Sequence, residues 1–347
     1  MKKRILFVDD DQAILRAMKN LLRKERHRWE LVFAEDGQTA LDEVRRQHVD
    51  VVVTDMRMPA MDGADLLTRI REESPTTARI MLTGSAEPEA IVRALPALHQ
   101  LLVKPCDRAR LQATIERSLD ATGSGSCTAI GSIDRLPSPA RTVSALGLLL
   151  DTPTATTSEV TAIISSDPAM SAKVLQLACS EFFASPGTVT SIASAVEMMG
   201  LDRLRQLRLA SQIFELVGAE AVSPWLETLQ TKSLANAIAA RLSVTDPALA
   251  DQLYAAALFR YVGRAMLAME EPVYREALAL GCPEHELEEL ELERFGGVTQ
   301  AELGAWLLGL WGLPLAITEL VRFHARPQLA PLELRAQAEI LHRSCPS

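Results

Sequence analysis

Aromatic residues are scarce in this 347-residue chain, at 4%, and the five cysteines (Cys106, Cys127, Cys179, Cys282, Cys345) are scattered with no C-x-x-C pair. An odd, dispersed set excludes a disulfide framework and a cysteine-based zinc site, and reads as the reduced thiols of a cytoplasmic protein. No uncharged apolar run reaches the roughly 18 residues of a membrane-spanning helix, so no membrane partner is expected. The opening MKKRILFVDDD runs into acid after a short apolar stretch, which excludes a signal peptide. Excess positive charge is missing too: 36 Lys and Arg stand against 45 Asp and Glu, a net charge of -9. Phosphate neutralisation needs a clustered basic surface, so nucleic acid is not an expected partner.

What remains is ordinary in amount, with 48% hydrophobic and 23% charged residues. The length suggests two domains. Up to about residue 120, short apolar runs alternate with amphipathic stretches. Strand-like runs are ILFV (5–8), LVFA (31–34), VDVVVT (49–54), ARIML (78–82) and QLLV (100–103). Helical patterns lie near 12–26, 37–47, 64–73, 87–95 and 107–120. Five such units predict an α/β, doubly wound, five-stranded parallel sheet over residues 1–120. The Gly/Ser/Thr-rich ATGSGSCTAIGS begins a linker, 121–133. Residues 134–347 read as an all-α domain. Two of its helices open on an Asp cap followed by Pro at the first helical position, Asp167-Pro168 and Asp246-Pro247. The runs they open are AMSAKVLQLACS and ALADQLYAAALFRYVGRAMLAM.

In RILFVDDDQAIL (4–15) the first strand stops on three adjacent carboxylates, Asp9, Asp10 and Asp11. Packing like charges together is unfavourable unless a cation sits between them or each has its own task. Asp11 precedes the helical pattern QAILRAMKNLL and caps it. Asp9 and Asp10 stay with the other polar strand ends: Asp55 after the third strand, Thr83 after the fourth and Lys104 after the fifth. In an open parallel sheet these ends share one edge, where ligands bind. Carboxylates gathered around one point call for a hard divalent cation, and Mg2+ fits. With it in place Asp55 can act as a nucleophile toward phosphorus. Lys104 would screen the transferring charge, and Thr83 could donate to a phosphoryl oxygen.

On VDDD (8–11), DMRMPAMDG (55–63), LTGSA (82–86) and VKP (103–105), residues 1–120 resemble a response-regulator receiver domain. The resemblance implies Asp55 as phosphoacceptor, Asp9 and Asp10 as the acidic pair, and the backbone carbonyl of Arg57 as a further metal ligand. It also implies Thr83 and Lys104 as switch residues, a cis Lys104–Pro105 bond, and a sensor histidine kinase as partner. The position three before the lysine, usually aromatic in that family, is Leu101.

Residues 134–326 resemble the HDOD domain on RLPSPARTVSALGLLL, IISSDPAMSAKVLQLACS, TVTSIASAVEMMGLDRLRQLRLA and AELGAWLLGLWGLP. The catalytic branch of that superfamily holds two metals through a His-Asp pair and further histidines. Here LFRYVGR puts Arg260 and Tyr261 in place of His-Asp, and GVTQAELGA puts Gln300 where a histidine is common. Only His324, in VRFHARP, survives. A cation at a ligand position repels metal. A non-catalytic output that binds downstream signalling proteins is therefore expected, with homodimerisation left open. The rivals are a cyclic-dinucleotide metal phosphodiesterase, and a helix-turn-helix DNA binder built on TSIASAVEMMGLDRLRQLRL. His27, His48, His99, His285 and His342 lack ligand spacing and read as surface or packing residues. The basic run KNLLRKERHR (19–28) reads as cations at a helix C-terminus. EHELEELELE (284–293) reads as a solvated helix face.

Overall fold

A computed structural model describes residues 2–84, 93–94, 97–123, 136, 138–180, 189–210 and 224–344. The helical pattern expected at 87–95 and most of the linker lie outside the described residues. The chain divides into two compact units, one containing the sheet and the other helical.

In the first unit, β1 (Lys3–Val8), α1 (Gln12–Leu21), β2 (Trp29–Ala34), α2 (Gly37–Arg46), β3 (Val51–Asp55), α3 (Gly63–Glu73), β4 (Ala78–Thr83), β5 (Gln100–Val103) and α4 (Arg108–Gly123) follow in order. All neighbouring strands are parallel, in the order β2-β1-β3-β4-β5. β1, β3 and β4 are buried almost throughout, as strands covered on both faces must be. The three helices that follow β1, β2 and β3 each begin at an Asp cap. Asp11 accepts from the Ala13 amide at 2.7 Å, Asp36 from Thr39 at 2.8 Å and Asp62 from Asp65 at 2.9 Å. The pattern at 12–26 is not one helix. α1 ends at Leu21 and a 3-10 turn, Arg23–His27, takes over, with Lys19 in the last turn of α1 and Lys24, Arg26 and His27 in that of the 3-10 segment.

The second unit contains α5 (Ala140–Asp151), α6 (Thr157–Ser165), α7 (Pro168–Ala178), α8 (Ile192–Met199), α9 (Leu201–Ala210), α10 (Pro224–Leu242), α11 (Pro247–Leu258), α12 (Val262–Glu270), α13 (Pro272–Ala279), α14 (Glu284–Arg294), α15 (Gln300–Leu310), α16 (Leu315–Phe323) and α17 (Leu332–Ser344). The Asp-Pro caps stand at α7 and α11 as expected, and Glu271-Pro272 repeats the device with Glu at α13. α8 and α9 meet at Gly200, whose φ of 74° suits only glycine without cost.

The long run opened by Asp246-Pro247 breaks in two. The amide of Phe259 caps α11 through Ala255 and Ala257, and a corner at Phe259–Tyr261 precedes α12. The break serves a close crossing of α12 and α15. A Cβ on Gly263 would lie 1.9 Å from the Gln300 carbonyl oxygen, and one on Gly304 3.1 Å from the Gly263 nitrogen.

Asp167 is fully buried at the start of α7. It accepts from the Met170 amide at 3.0 Å, Ser138 Oγ at 3.0 Å and Gln230 Nε2 at 2.8 Å. Burial pushes its carboxyl up to about 6 despite those donors. The folded state therefore holds its proton more tightly than the unfolded chain. This stabilisation is complete below the unfolded value of 3.8 and is lost as pH rises through about 6. Asp167→Asn should remove that slope. Between about pH 3.5 and 7 the variant's stability should gain on the wild type by about 3 kcal/mol in urea unfolding. Parallel pH profiles would show that the buried carboxyl is not titrating.

Candidate functional site

Because β1 and β3 are neighbours while their connections leave in opposite directions, the crevice at their carboxyl ends is the switch point of the sheet. Asp9 follows β1, Asp55 ends β3, Thr83 ends β4 and Lys104 follows β5. The structure brings three of them into contact. Lys104 Nζ lies 2.7 Å from Asp9 Oδ2 and 2.6 Å from Asp55 Oδ1. Burial works to lower the ammonium's pKa, but the hydrogen bonds and charges of Asp55 and Asp9 prevail and hold it above its usual value. Lys104 is thus a fixed positive charge at the crevice.

The remaining predicted residues stand around this contact. Asp9 is buried and its Oδ1 accepts from the Asp11 amide at 3.0 Å, while Asp10 is exposed beside it. The Arg57 amide donates to Asp55 Oδ2 at 2.8 Å, which turns the residue 57 backbone toward the carboxylate. Thr83 is buried, and its carbonyl oxygen accepts from the Lys104 amide at 2.7 Å. The Lys104–Pro105 peptide is cis. Leu101 is buried in β5 opposite Met81.

The donor set fits magnesium. Two carboxylates already bridged by one cation are close enough to serve another, and the ion commonly takes one or two carboxylates and keeps several waters. Among the described residues, no three His, Cys, Asp or Glu side chains already stand as a ready-made ligand cluster.

Sequence reasoning missed two features that hold the crevice. A Cβ on Gly63 would lie 2.1 Å from the Asp55 carbonyl oxygen, so α3 can start against the end of β3 only with glycine there. Ala60, in the loop between them, has a φ of 67°, a region costly for a residue with a Cβ.

In the helical unit the corner after α11 buries Arg260 and Tyr261, and both Arg260 and Arg264 lie over the Tyr261 ring, at 5.5 and 5.2 Å. Arg264 pairs bidentately with Glu284, one bond being 2.7 Å. Glu291 is only 1% exposed, which corrects the reading of 284–293 as a wholly solvated face. It accepts from Tyr274 Oη at 2.6 Å and from the Gln300 amide at 2.8 Å. Its place one helical turn after the buried Leu287 was the signal available in the sequence. His324 is buried. Its Nδ1 lies 2.6 Å from the Val321 carbonyl, which fixes the proton there, and Nε2 faces Gln300 Nε2 at 3.4 Å. Burial, and then the charge of Arg260, lower its pKa to about 3, so it is neutral. The structure thus gathers Arg260, Tyr261, Gln300 and His324 in one place.

A five-stranded parallel sheet with acids and a lysine at its switch point, followed by a helical domain, defines a receiver-type signalling protein. Residues 5–116 match the response regulator receiver domain and residues 136–327 match the HDOD domain, so the chain belongs to the HDOD family and carries a receiver domain ahead of it. The chemotaxis protein CheY-3 of Vibrio cholerae is 38% identical over 122 residues, 33% of this chain and 89% of that protein. The transcriptional regulatory protein ZraR of Escherichia coli is 36% identical over 121 residues, which is 35% of this chain and only 27% of ZraR. A crystal structure of a Campylobacter jejuni virulence factor shares the fold of the larger part, at a TM-score of 0.50 and 24% identity over 63% of this chain and 81% of that one. Among the described residues no helix is long and apolar enough to cross a membrane.

Proposed function

We propose that the chain is a cytoplasmic response regulator of a phosphorelay, with Asp55 as the phosphoacceptor and the HDOD domain as a non-catalytic output that binds signalling proteins. The observation that carries this reading is the convergence of Asp9 and Asp55 on Lys104 at the switch point of the sheet. A carboxylate oxygen of Asp55 attacks the phosphorus of a phosphohistidine on a sensor kinase. The donor's P–N bond breaks, the histidine nitrogen keeps the electron pair, and an acyl phosphate forms on Asp55. Lys104, released from its bond to Asp55, pairs with a phosphoryl oxygen, and the Thr83 hydroxyl donates to another. Asp9, Asp10, Asp55 and the Arg57 carbonyl would hold magnesium, which when bound would add to the neutralisation of the phosphoryl charge.

The division of labour among the three aspartates gives the test. Phosphate uptake from acetyl phosphate by the wild-type chain should require magnesium and cease in a chelator. Asp10→Ala should weaken magnesium binding by about tenfold or more, since it removes a ligand. Asp11→Ala should leave the ion's affinity near that of the wild type and instead cost about 1 kcal/mol of stability, because Asp11 caps α1. Equal losses of magnesium affinity in the two variants, or uptake indifferent to a chelator, would refute the assignment.

The non-catalytic reading of the helical half is supported by Arg260 and Tyr261 occupying the corner after α11, with Gln300 against His324. One imidazole does not fix a catalytic ion. The full chain should hold no stoichiometric iron, manganese or zinc by elemental analysis, and should not hydrolyse a cyclic dinucleotide. Turnover lost in His324→Ala would restore the phosphodiesterase reading.

A further inference from the structure

We propose that the pocket between α7, α10 and α12 binds a short-chain alcohol, its hydroxyl held by Ser233 and Gln230 and its alkyl tail laid along the apolar walls. About 310 Å3 of empty space lies in the pocket, counted out through its open mouth, and the enclosed end is about 20 Å3. That end has room for one water-sized group, which suits a hydroxyl head with its tail in the mouth. Leu226 and Leu229 of α10 and Val262 and Ala265 of α12 form apolar walls. No charged side chain among the described residues lines the pocket. An ion would therefore be buried there without a partner, at high cost. The ligand that fits is uncharged.

Two polar groups on the pocket wall have no hydrogen-bond partner among the described residues. One is the hydroxyl of Ser233, a residue 1% exposed. The other is Gln230 Oε1. Gln230 Nε2 donates to Asp167 Oδ2 at 2.8 Å, which fixes the amide's orientation and leaves its oxygen a free acceptor. The two residues stand three apart on α10 and so share one face of the helix. The Tyr261 hydroxyl, also on the wall, already has Asn236 Nδ2 at 3.5 Å. Buried polar groups in native folds are nearly always satisfied, so this pair points to a polar head group. A ligand hydroxyl answers both, donating to Gln230 Oε1 and accepting from Ser233 Oγ. A water makes the same two bonds but turns its remaining sites toward leucine and valine side chains. An alcohol places carbon there instead, and burial of each methylene is favourable.

The probe is 1-butanol, titrated into the full chain with its leucine and valine methyl groups carbon-labelled for NMR. The pH is set well above the Asp167 value of about 6, where the carboxylate holds the Gln230 amide. No phosphodonor is present, so the result is read apart from the phosphorelay. Saturable shifts centred on the methyls of Leu226, Leu229 and Val262 are expected, with a midpoint below about 20 mM. Methyl propyl ether, an isomer that has no donor for Gln230, should bind about fivefold more weakly. Ser233→Ala should weaken butanol binding by about the same factor. Its fold should persist, since alanine is the better helix former. Ala265→Leu should abolish binding by filling the space. No saturation up to about 100 mM, or shifts spread over the whole chain, would overturn the proposal. Equal affinity for the alcohol and the ether, with no loss in Ser233→Ala, would overturn it equally. Should Ala265→Leu fail to fold, the ether and Ser233→Ala decide alone.

Discussion

Asp55→Asn will take up no acid-labile phosphate from acetyl phosphate and magnesium, under conditions where the wild type takes up about one per chain. The amide is nearly isosteric and can still accept from the Arg57 amide, so the loop keeps its shape. What is lost is the nucleophile: an amide oxygen does not form a stable acyl phosphate, and uptake should fall by at least about a thousandfold. The neighbouring acids do not replace it. Asp9 is buried against Lys104 and the Asp11 amide, and Asp10 points to solvent from the end of β1. Undiminished labelling of the variant would show that the phosphoryl group goes elsewhere.

Gly263→Ala will cost the helical domain at least about 3 kcal/mol, enough to lower or abolish its cooperative unfolding transition. The added methyl meets backbone rather than a flexible side chain, at 1.9 Å from the Gln300 oxygen, so α12 and α15 must separate. Separation moves Gln300 away from Glu291 and His324 and so opens the polar cluster as well. Gly304→Ala provides the graded comparison, since its Cβ would sit 3.1 Å from the Gly263 nitrogen and needs a shift of only tenths of an ångström. It should cost about 1 kcal/mol. Urea unfolding of the three proteins measures both. A Gly263→Ala variant within about 1 kcal/mol of the wild type would mean that the crossing is not close.

The receiver half was the more legible because its signals are local. Apolar runs that end on Asp9, Asp55, Thr83 and Lys104 mark strand ends, and a parallel sheet delivers strand ends to one edge whatever the side chains between. Asp11, Asp167 and Asp246 announced helix starts through a cap chemistry that needs only the next three residues. What stayed hidden depends on partners distant in sequence. Nothing near Gly63 or Gly263 says which backbone will lie against it. The corner at Phe259–Tyr261 interrupts a run whose apolar spacing is unbroken. Glu291 looked like one more solvated acid until Tyr274 and the Gln300 amide were placed around it. The basic run at 19–28 likewise gave no sign that Glu25 would be buried against Arg108, which begins α4.

The most direct test of the central assignment is to locate the phosphoryl group in the wild-type chain. Borohydride reduces an aspartyl phosphate to homoserine, and peptide mapping by mass spectrometry after acetyl phosphate treatment reads the modified position. Homoserine at position 55, formed only when magnesium is present, is the expected result. Homoserine at position 9 or 10, or phosphate retained on a histidine with position 55 unmodified, would contradict it.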